Sequence, residues 1–458
     1  MASQSRTEFC AEYRRIHAMA SEAGLRGRPL RADNLKSPFV DKRHQMQFLK
    51  ACHCGFEKAQ NTIVELLAAL RSDQNIDRSE RMFRELALRK IIDGIAVQLL
   101  QGKSHLIRRF VLHDKPPTFE LKTVQEALKA ANRLNNESRL TFALVADIST
   151  FVHVCDILRA DHRERRLSLI ELKGGRINQL LLSELERYKP EKDSMQALET
   201  DPRIHPEHRK QAKRMLRQQI RKAQVEHMFS HDEGTDIMLD KPLIFTKEEV
   251  QLTHYDELLN TLCTGAREKG FAMGTSNHCI HLAVGYADEP ETALCNARRA
   301  MDYGIAKSRK GAPNGLVDIE ATLAKTVPKE DLFQIGNLFE SNMTAMSSRP
   351  FTTWYLHSDH FMGLMSGRMV VLAAFDLAAF IWLGRAIGLR VELTSRKDAA
   401  HEAQSLGSVN VPTWGGRALR YVFGPDQHIT LLSGMFSRFF NDLTNPLPLM
   451  VYWRAPIL

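Results

Sequence analysis

Two carboxylates and an ammonium near the middle of the chain have the types and spacing for metal-assisted hydrolysis. They are Asp156, in the apolar run 152–158, and Glu171 and Lys173, which finish the apolar run 167–173. On a strand alternate side chains share a face, so Glu171 and Lys173 point the same way, and Ile170 and Leu172 are expected to face the core. A hairpin turning through 160–166 would bring Asp156 beside Glu171. Two carboxylates at that separation repel unless a divalent cation lies between them. Mg2+ suits such a pair, being a hard ion that takes oxygen ligands and keeps several waters, with Mn2+ as the alternative. A neighbouring ammonium can orient one of those waters, and the ion offsets charge developing on a phosphate. The blander account is a surface E-x-K triplet, common on exposed strands. Against it, charges that finish a buried run are costly unless used or solvated.

The elements that must position these residues follow from the hydrophobic period. The segments 56–70, 81–100 and 124–136 repeat apolar residues at three- and four-residue steps and predict helices. The period then shortens, and 141–148, 152–158 and 167–173 predict three closely spaced strands, an antiparallel meander. Asp147, ending the first of them, reads as a turn former. The polar stretch 184–207 predicts a loop. A strong amphipathic helix follows at 208–229, with Ala212, Met215, Leu216, Ile220 and Ala223 on one side. Lys210, Arg214, Arg217 and Arg221 on the other side offer a phosphate-binding face, although a solvated face is the default for such a run. Further on, the pattern predicts a strand near 243–246, a helix at 255–269, a strand at 279–285 and a helix at 289–307. The mostly apolar segment 369–389 is long enough to test as a membrane span. Asp376 and Arg385 inside it are costly in lipid, and it divides naturally into a buried strand and a short helix.

The pattern D-(x)14-E-x-K on two adjacent strands, preceded by helices and followed by an amphipathic helix, resembles the PD-(D/E)XK nuclease superfamily. The resemblance covers at most residues 80–285 and is carried by the short strands. It implies an α/β (α+β) fold with a restriction-endonuclease-like mixed-sheet core, flanked by a helical N-terminal region and an α/β C-terminal region. It implies Asp156 and Glu171 as metal-binding acids and Lys173 as the catalytic lysine. A third acid from a preceding helix is expected; Asp93, in an otherwise apolar stretch, is the first candidate and Glu85 the second, the alternative for Asp93 being a simple pair with Lys90 or Arg89. The helix after the third strand is expected to turn Gln211 or Gln218 and its basic residues towards the site. The regions are then 1–76 (helical), 77–310 (nuclease-like core with helical additions) and 345–458, an α/β region to which the sequence assigns no chemistry.

Composition agrees with a globular protein of more than one domain: 458 residues, 43% hydrophobic and 26% charged. The net charge of +9 favours a polyanionic partner. The seven cysteines are odd in number and scattered, which suits a reducing cytoplasm. Cys52, His53 and Cys54 lack the second ligand pair of a structural zinc site, and His357, Asp359 and His360 read as loop polarity. The expected function is a Mg2+-dependent nuclease without a membrane anchor. DNA is favoured over RNA by the resemblance alone, and a bacterial restriction or phage-defence role by analogy of architecture. The alternative is a non-catalytic nucleic-acid-binding or scaffolding protein on a nuclease-like fold. A second copy of the chain or another protein stays open as a partner.

Overall fold

The structure is a computed structural model that describes residues 5–21, 42–101, 103–111, 115–116, 118–161, 164, 166–172, 176–188, 193–231, 233–235, 242–244, 253–406, 411–424 and 427–454. The chain divides into two compact units, Arg15–Glu248 and Glu249–Leu458, the segment Gln4–Arg14 belonging with the second. The division falls inside the 77–310 segment that the sequence suggests as one core. Helices and small antiparallel sheets make up both units, an α+β organisation. Among the described residues no helix is long and apolar enough to cross a membrane.

The opening helix α1 (Arg6–Ala20) leads to α2 (Lys42–Ser72), α3 (Arg78–Leu99), α4 (Ser104–Phe110) and α5 (Leu121–Glu137). Helix α3 starts where Asp77 caps it, its carboxylate accepting the Ser79 and Glu80 N–H groups at 2.8 and 3.3 Å. The first unit's main sheet is the expected meander, β1 (Thr141–Val145), β2 (Ile157–Asp161) and β3 (Arg166–Ile170), in the order β1-β2-β3. Phe142, Leu144, Leu158, Ala160, Leu167 and Leu169 share one face and are all buried. Leu172, expected in the core, is 38% exposed, and Ile170 is half-buried. Strand β2 also begins later than expected and runs into the charged residues, with Asp161 opposite Arg166.

Both edges of this sheet are closed by side chains. Asn135 and Gln60 bind the outward backbone groups of Ala143 and Val145, and Glu226 accepts the Leu169 N–H at 2.9 Å. Edge groups occupied in this way leave little for a fourth strand to pair with. The mixed sheet implied by the resemblance is therefore absent among the described residues, where the sheet is wholly antiparallel. After it come α6 (Arg176–Leu185), α7 (Asp193–Thr200), α8 (Arg209–His231) and the short pair β4 (Glu233–Thr235) and β5 (Pro242–Ile244). The stretch expected as a loop thus carries α7, because Leu198 and Ile204 pack with Leu181, Leu185, Met215 and Leu216.

In the second unit, α9 (Asp256–Lys269), β6 (Phe271–Ser276), β7 (Ile280–Tyr286), α10 (Pro290–Lys310), α11 (Leu316–Leu323), β8 (Phe333–Asn337), α12 (Leu338–Thr344), α13 (Ser358–Ser366) and β9 (Met369–Asp376) build an antiparallel sheet ordered β6-β7-β9-β8. Helix α10 lies very close on it. A Cβ at Gly285 would fall 2.0 Å from the Ala293 carbonyl oxygen, and small residues (Ala283, Ala293, Ala297, Ala374) fill the contact. The apolar segment 369–389 is β9 followed by α14 (Leu377–Ala386), with Asp376 capping the helix through the Ala379 N–H at 2.9 Å. Strand β10 (Arg390–Leu393), α15 (Arg396–Leu406), β11 (Thr413–Trp414), β12 (Arg417–Val422), β13 (His428–Thr430), α16 (Ser433–Phe440) and α17 (Pro446–Arg454) complete the unit.

Candidate active site

The register of the meander decides where the two acids stand. The last pair of the register is Ile157 with Ile170, so Asp156 and Glu171 are the next residues beyond it, at the same end of the two strands. Beyond that pair the backbone departs from the ladder: the Asp156 N–H turns to the Ile170 carbonyl at 3.0 Å, and the Asp156 carbonyl accepts the Ala146 N–H at 2.8 Å. The Asp156 carboxylate accepts the Leu172 N–H at 2.5 Å, which ties the two strand ends together. Both acids are half-buried. Lys173 lies outside the described residues.

A third carboxylate belongs to this end of the sheet. Asp147 sits in a 3-10 turn, Ala146–Ile148, directly after β1. Its carboxyl is pushed up to about 6, first by burial and then by the negative charge of Asp156, with Glu171 adding to it and Arg89 opposing. Burial first, then the charges of Glu171 and Asp156, likewise raises the Cys155 thiol, while Lys222 opposes. Negative charge therefore accumulates where β1 ends, β2 begins and β3 ends. Among the described residues no three His, Cys, Asp or Glu side chains converge closely enough to ligate one metal ion. A cation here would have two carboxylates at most from the described groups, and water.

Helix α3 holds the loop that carries Asp147. The Arg89 guanidinium donates to the carbonyl oxygens of Asp147 and Ser149 at 3.0 and 2.9 Å and pairs with Glu85 at 3.2 Å. Asp93, the expected third acid, is 1% exposed. Its carboxylate accepts the Ser149 hydroxyl at 2.7 Å, the Thr150 N–H at 2.7 Å and the Thr150 hydroxyl at 2.5 Å, and it pairs with Lys90 at 3.3 Å. Those bonds occupy it as a clamp on residues 149–150. Glu85 is similarly engaged, by Arg89 and Arg71.

Helix α8 docks on the sheet's edge through Glu226. Lys222, one turn earlier on the same face, is half-buried, has no ion-pair partner among the described residues, and is close enough to be felt at Cys155. Of the expected phosphate contacts, Lys210, Arg214 and Arg217 are exposed and Arg221 half-buried, on one stripe of the helix. Gln211 donates to the Asn178 side chain at 3.0 Å, and Gln218 is half-buried. Asp147 and Lys222 are the two residues that sequence reasoning missed. Asp147 had a readable signal, because the end of β1 and the start of β2 coincide in any antiparallel meander. Lys222 had none, since its facing depends on the long-range bond of Glu226.

The remaining motifs are structural. Both ring nitrogens of His360 are engaged, by Asn260 at 3.0 Å and Thr264 at 3.4 Å, and Asp359 pairs with Arg14 and Arg267. His53 packs edge-on against Phe142, beside Arg139 and Glu57. Comparison with protein-family models, with curated proteins and with solved structures gives no match.

Proposed function

We propose that the first unit is a Mg2+-dependent nuclease of PD-(D/E)XK type, cutting phosphodiester bonds in nucleic acid, with DNA the preferred substrate. The observation that supports the reading is that the meander's last pair, Ile157 with Ile170, leaves Asp156 and Glu171 at one end of the sheet, in the order and spacing of the superfamily's acids. The donors are hard oxygens gathered at one end of the sheet, which suits Mg2+; that ion is commonly held by one or two carboxylates, with water and substrate phosphate completing the shell. Asp156 and Glu171 would hold it, and Mn2+ would serve in its place. When bound, such an ion supplies Lewis-acid stabilisation of charge developing on the phosphate.

The chain's own residues do the rest. Lys173, two residues beyond Glu171 in the sequence, orients the attacking water. Lys222 meets a non-bridging phosphate oxygen from the helix side. The stripe of Lys210, Arg214, Arg217 and Arg221 tracks the backbone of the nucleic acid, neutralising phosphates without reading bases. Arg89 and Asp93 act at one remove, fixing the loop on which Asp147 stands. A role in restriction or phage defence fits a nuclease joined to a second unit that could gate it.

The test is cleavage of linear, circular and single-stranded DNA, and of RNA, by the purified chain with Mg2+, Mn2+ or EDTA. Glu171→Ala and Lys173→Ala are expected to abolish cleavage while thermal melts and nucleic-acid binding stay near wild type. Activity loss that tracks loss of folding would make these residues structural. Binding without cleavage by the wild type under every metal condition would favour the scaffolding alternative.

A further inference from the structure

Strand β6 is the outer strand of the second unit's sheet, and Thr275 is exposed near its end. The chain returns through residues 277–279, where Asn277 and His278 take φ of 49° and 61°, and this tight reversal makes Thr275 and His281 cross-strand partners. His281 in turn stands opposite Ala374, and Asp376 lies two residues further along β9. Thr275, His281, Ala374 and Asp376 therefore share one face of the sheet, the face on which α10 packs. Ala374 is small, which leaves the His281 ring space to reach across to Asp376.

These side chains run from the surface into the core: Thr275 is exposed, and His281 and Asp376 are buried. The Asp376 carboxylate lies 3.3 Å from His281 Nε2. The same carboxylate oxygen pairs with Arg309 at 2.8 Å, and the other caps α14. Phe333, opposite Asp376 in the register, lies against both the His281 ring and the Arg309 guanidinium. A carboxylate held in this way only accepts, so in the neutral imidazole Nε2 carries the proton and the lone pair is on Nδ1. Nδ1 is 3.3 Å from Thr275 Oγ1, whose hydroxyl then donates to it. A hydroxyl on a base, with the base oriented by an acid, is the arrangement of an activated nucleophile, and such contacts are commonly loose before substrate binds. Apolar packing of the same volume would be the less costly way to fill this space.

We propose that Thr275, His281 and Asp376 form an acyl-transfer site in the second unit that hydrolyses carboxylic esters. Thr275 Oγ1 attacks the ester carbonyl carbon as its proton passes to His281 Nδ1. The bond from that carbon to the alcohol oxygen breaks, and the alcohol leaves with the proton. Water then attacks the threonyl ester, His281 again taking and returning a proton, and the carboxylic acid departs with Thr275 restored. Asp376 is a positioning residue, fixing the tautomer and orientation of the ring. The charge gathering on the carbonyl oxygen has a donor at the strand edge. The Tyr286 N–H donates to the Gly270 carbonyl, which makes the even-numbered residues of β6 the ones bonded to β7. The Thr275 N–H thus points away from β7, at an edge unpaired among the described residues, where it can meet an oxyanion. The chemistry needs no metal and does not depend on the nuclease reading.

The test uses the full chain with p-nitrophenyl acetate in EDTA, which keeps the proposed nuclease site silent. Release of p-nitrophenol is followed together with mass spectrometry of peptides from acid-quenched samples. Wild type is expected to turn the ester over and to carry acetyl on Thr275. Thr275→Ala, at an exposed position that leaves the fold intact by circular dichroism, should lose that acetyl and at least about a hundredfold in kcat/KM. Thr275→Ser should retain both. His281→Gln should keep Thr275 unacetylated, and Asp376→Asn should lower kcat with KM near wild type, a split that a merely structural role does not produce. Acetyl found only on other residues, or equal turnover by wild type and Thr275→Ala, would overturn the proposal.

Discussion

Asp147 offers the sharpest test of the charge cluster, through Asp147→Asn in the absence of metal. Its carboxyl is raised from 3.8 to about 6, burial and the Asp156 charge being the main causes. A carboxyl raised in the fold binds its proton more tightly folded than unfolded, so stability is lost as pH climbs. The loss begins near pH 4, where the unfolded group ionises, and is complete once pH exceeds about 6, where the folded group ionises as well. A rise of that size corresponds to about 3 kcal/mol at 1.36 kcal/mol per unit. Part of the side chain meets solvent, and allowing for screening reduces this to about 2 kcal/mol. The amide has the same shape and no charge to desolvate. Asp147→Asn should therefore stabilise the first unit by about 2 kcal/mol at pH 8, and by nearly nothing at pH 4. In a thermal melt that is a rise of about 4–8 °C at pH 8 for a unit of this size. Urea unfolding of both proteins in EDTA at the two pH values measures it directly. Equal stability at pH 8 would remove the charge coupling on which the candidate site rests. Destabilisation of the same size at both pH values would make Asp147 the turn former its position in the sequence suggests.

Two other outcomes follow from the same contacts. Asp93→Ala should cost about 3–5 kcal/mol in urea unfolding, since it strands Lys90 at 1% exposure, and adding Lys90→Met should recover part of the loss; a cost under about 1 kcal/mol would mean the clamp is not what orders residues 149–150. Replacing Arg214 and Arg217 with Gln should flatten the slope of log K against log salt for DNA by roughly two, nearly uniformly across sequences; an unchanged slope would move the nucleic-acid path off this face of α8.

What the sequence made legible depended on how local the cause was. Residues 369–389 could be resolved into strand and helix because the deciding residue, Asp376, sits inside the segment and caps the helix it begins. That Asp156 and Glu171 come to the same end of the sheet was legible because a short hairpin leaves few registers. The boundaries of β2 were not, because Arg159 and Asp161 are held in the strand by their partners Ser168 and Arg166 and not by apolar burial. The division at 248–249 was hidden by the pairing of β7 with β9, which joins residues 280–286 to 369–375. Asp93 shows how a correct signal was given the wrong cause. A charged residue in an apolar helix does need partners: one, Lys90, is the local pair the sequence also suggests, and the others lie 56 and 57 residues away in a loop the pattern cannot connect to it.

Asp147 differs from all of these, since topology alone would have found it. In an antiparallel meander the first strand's exit, the second strand's entry and the third strand's exit lie at one end of the sheet, whatever their side chains. The sequence has an acid at each of those three points, Asp147, Asp156 and Glu171. Treating the first as a turn residue considered it within its own four-residue window, where Asp is indeed common. Placed on the meander, it is a third negative charge brought to the same end of the sheet, and the cost of that charge is what the pH dependence of Asp147→Asn would measure.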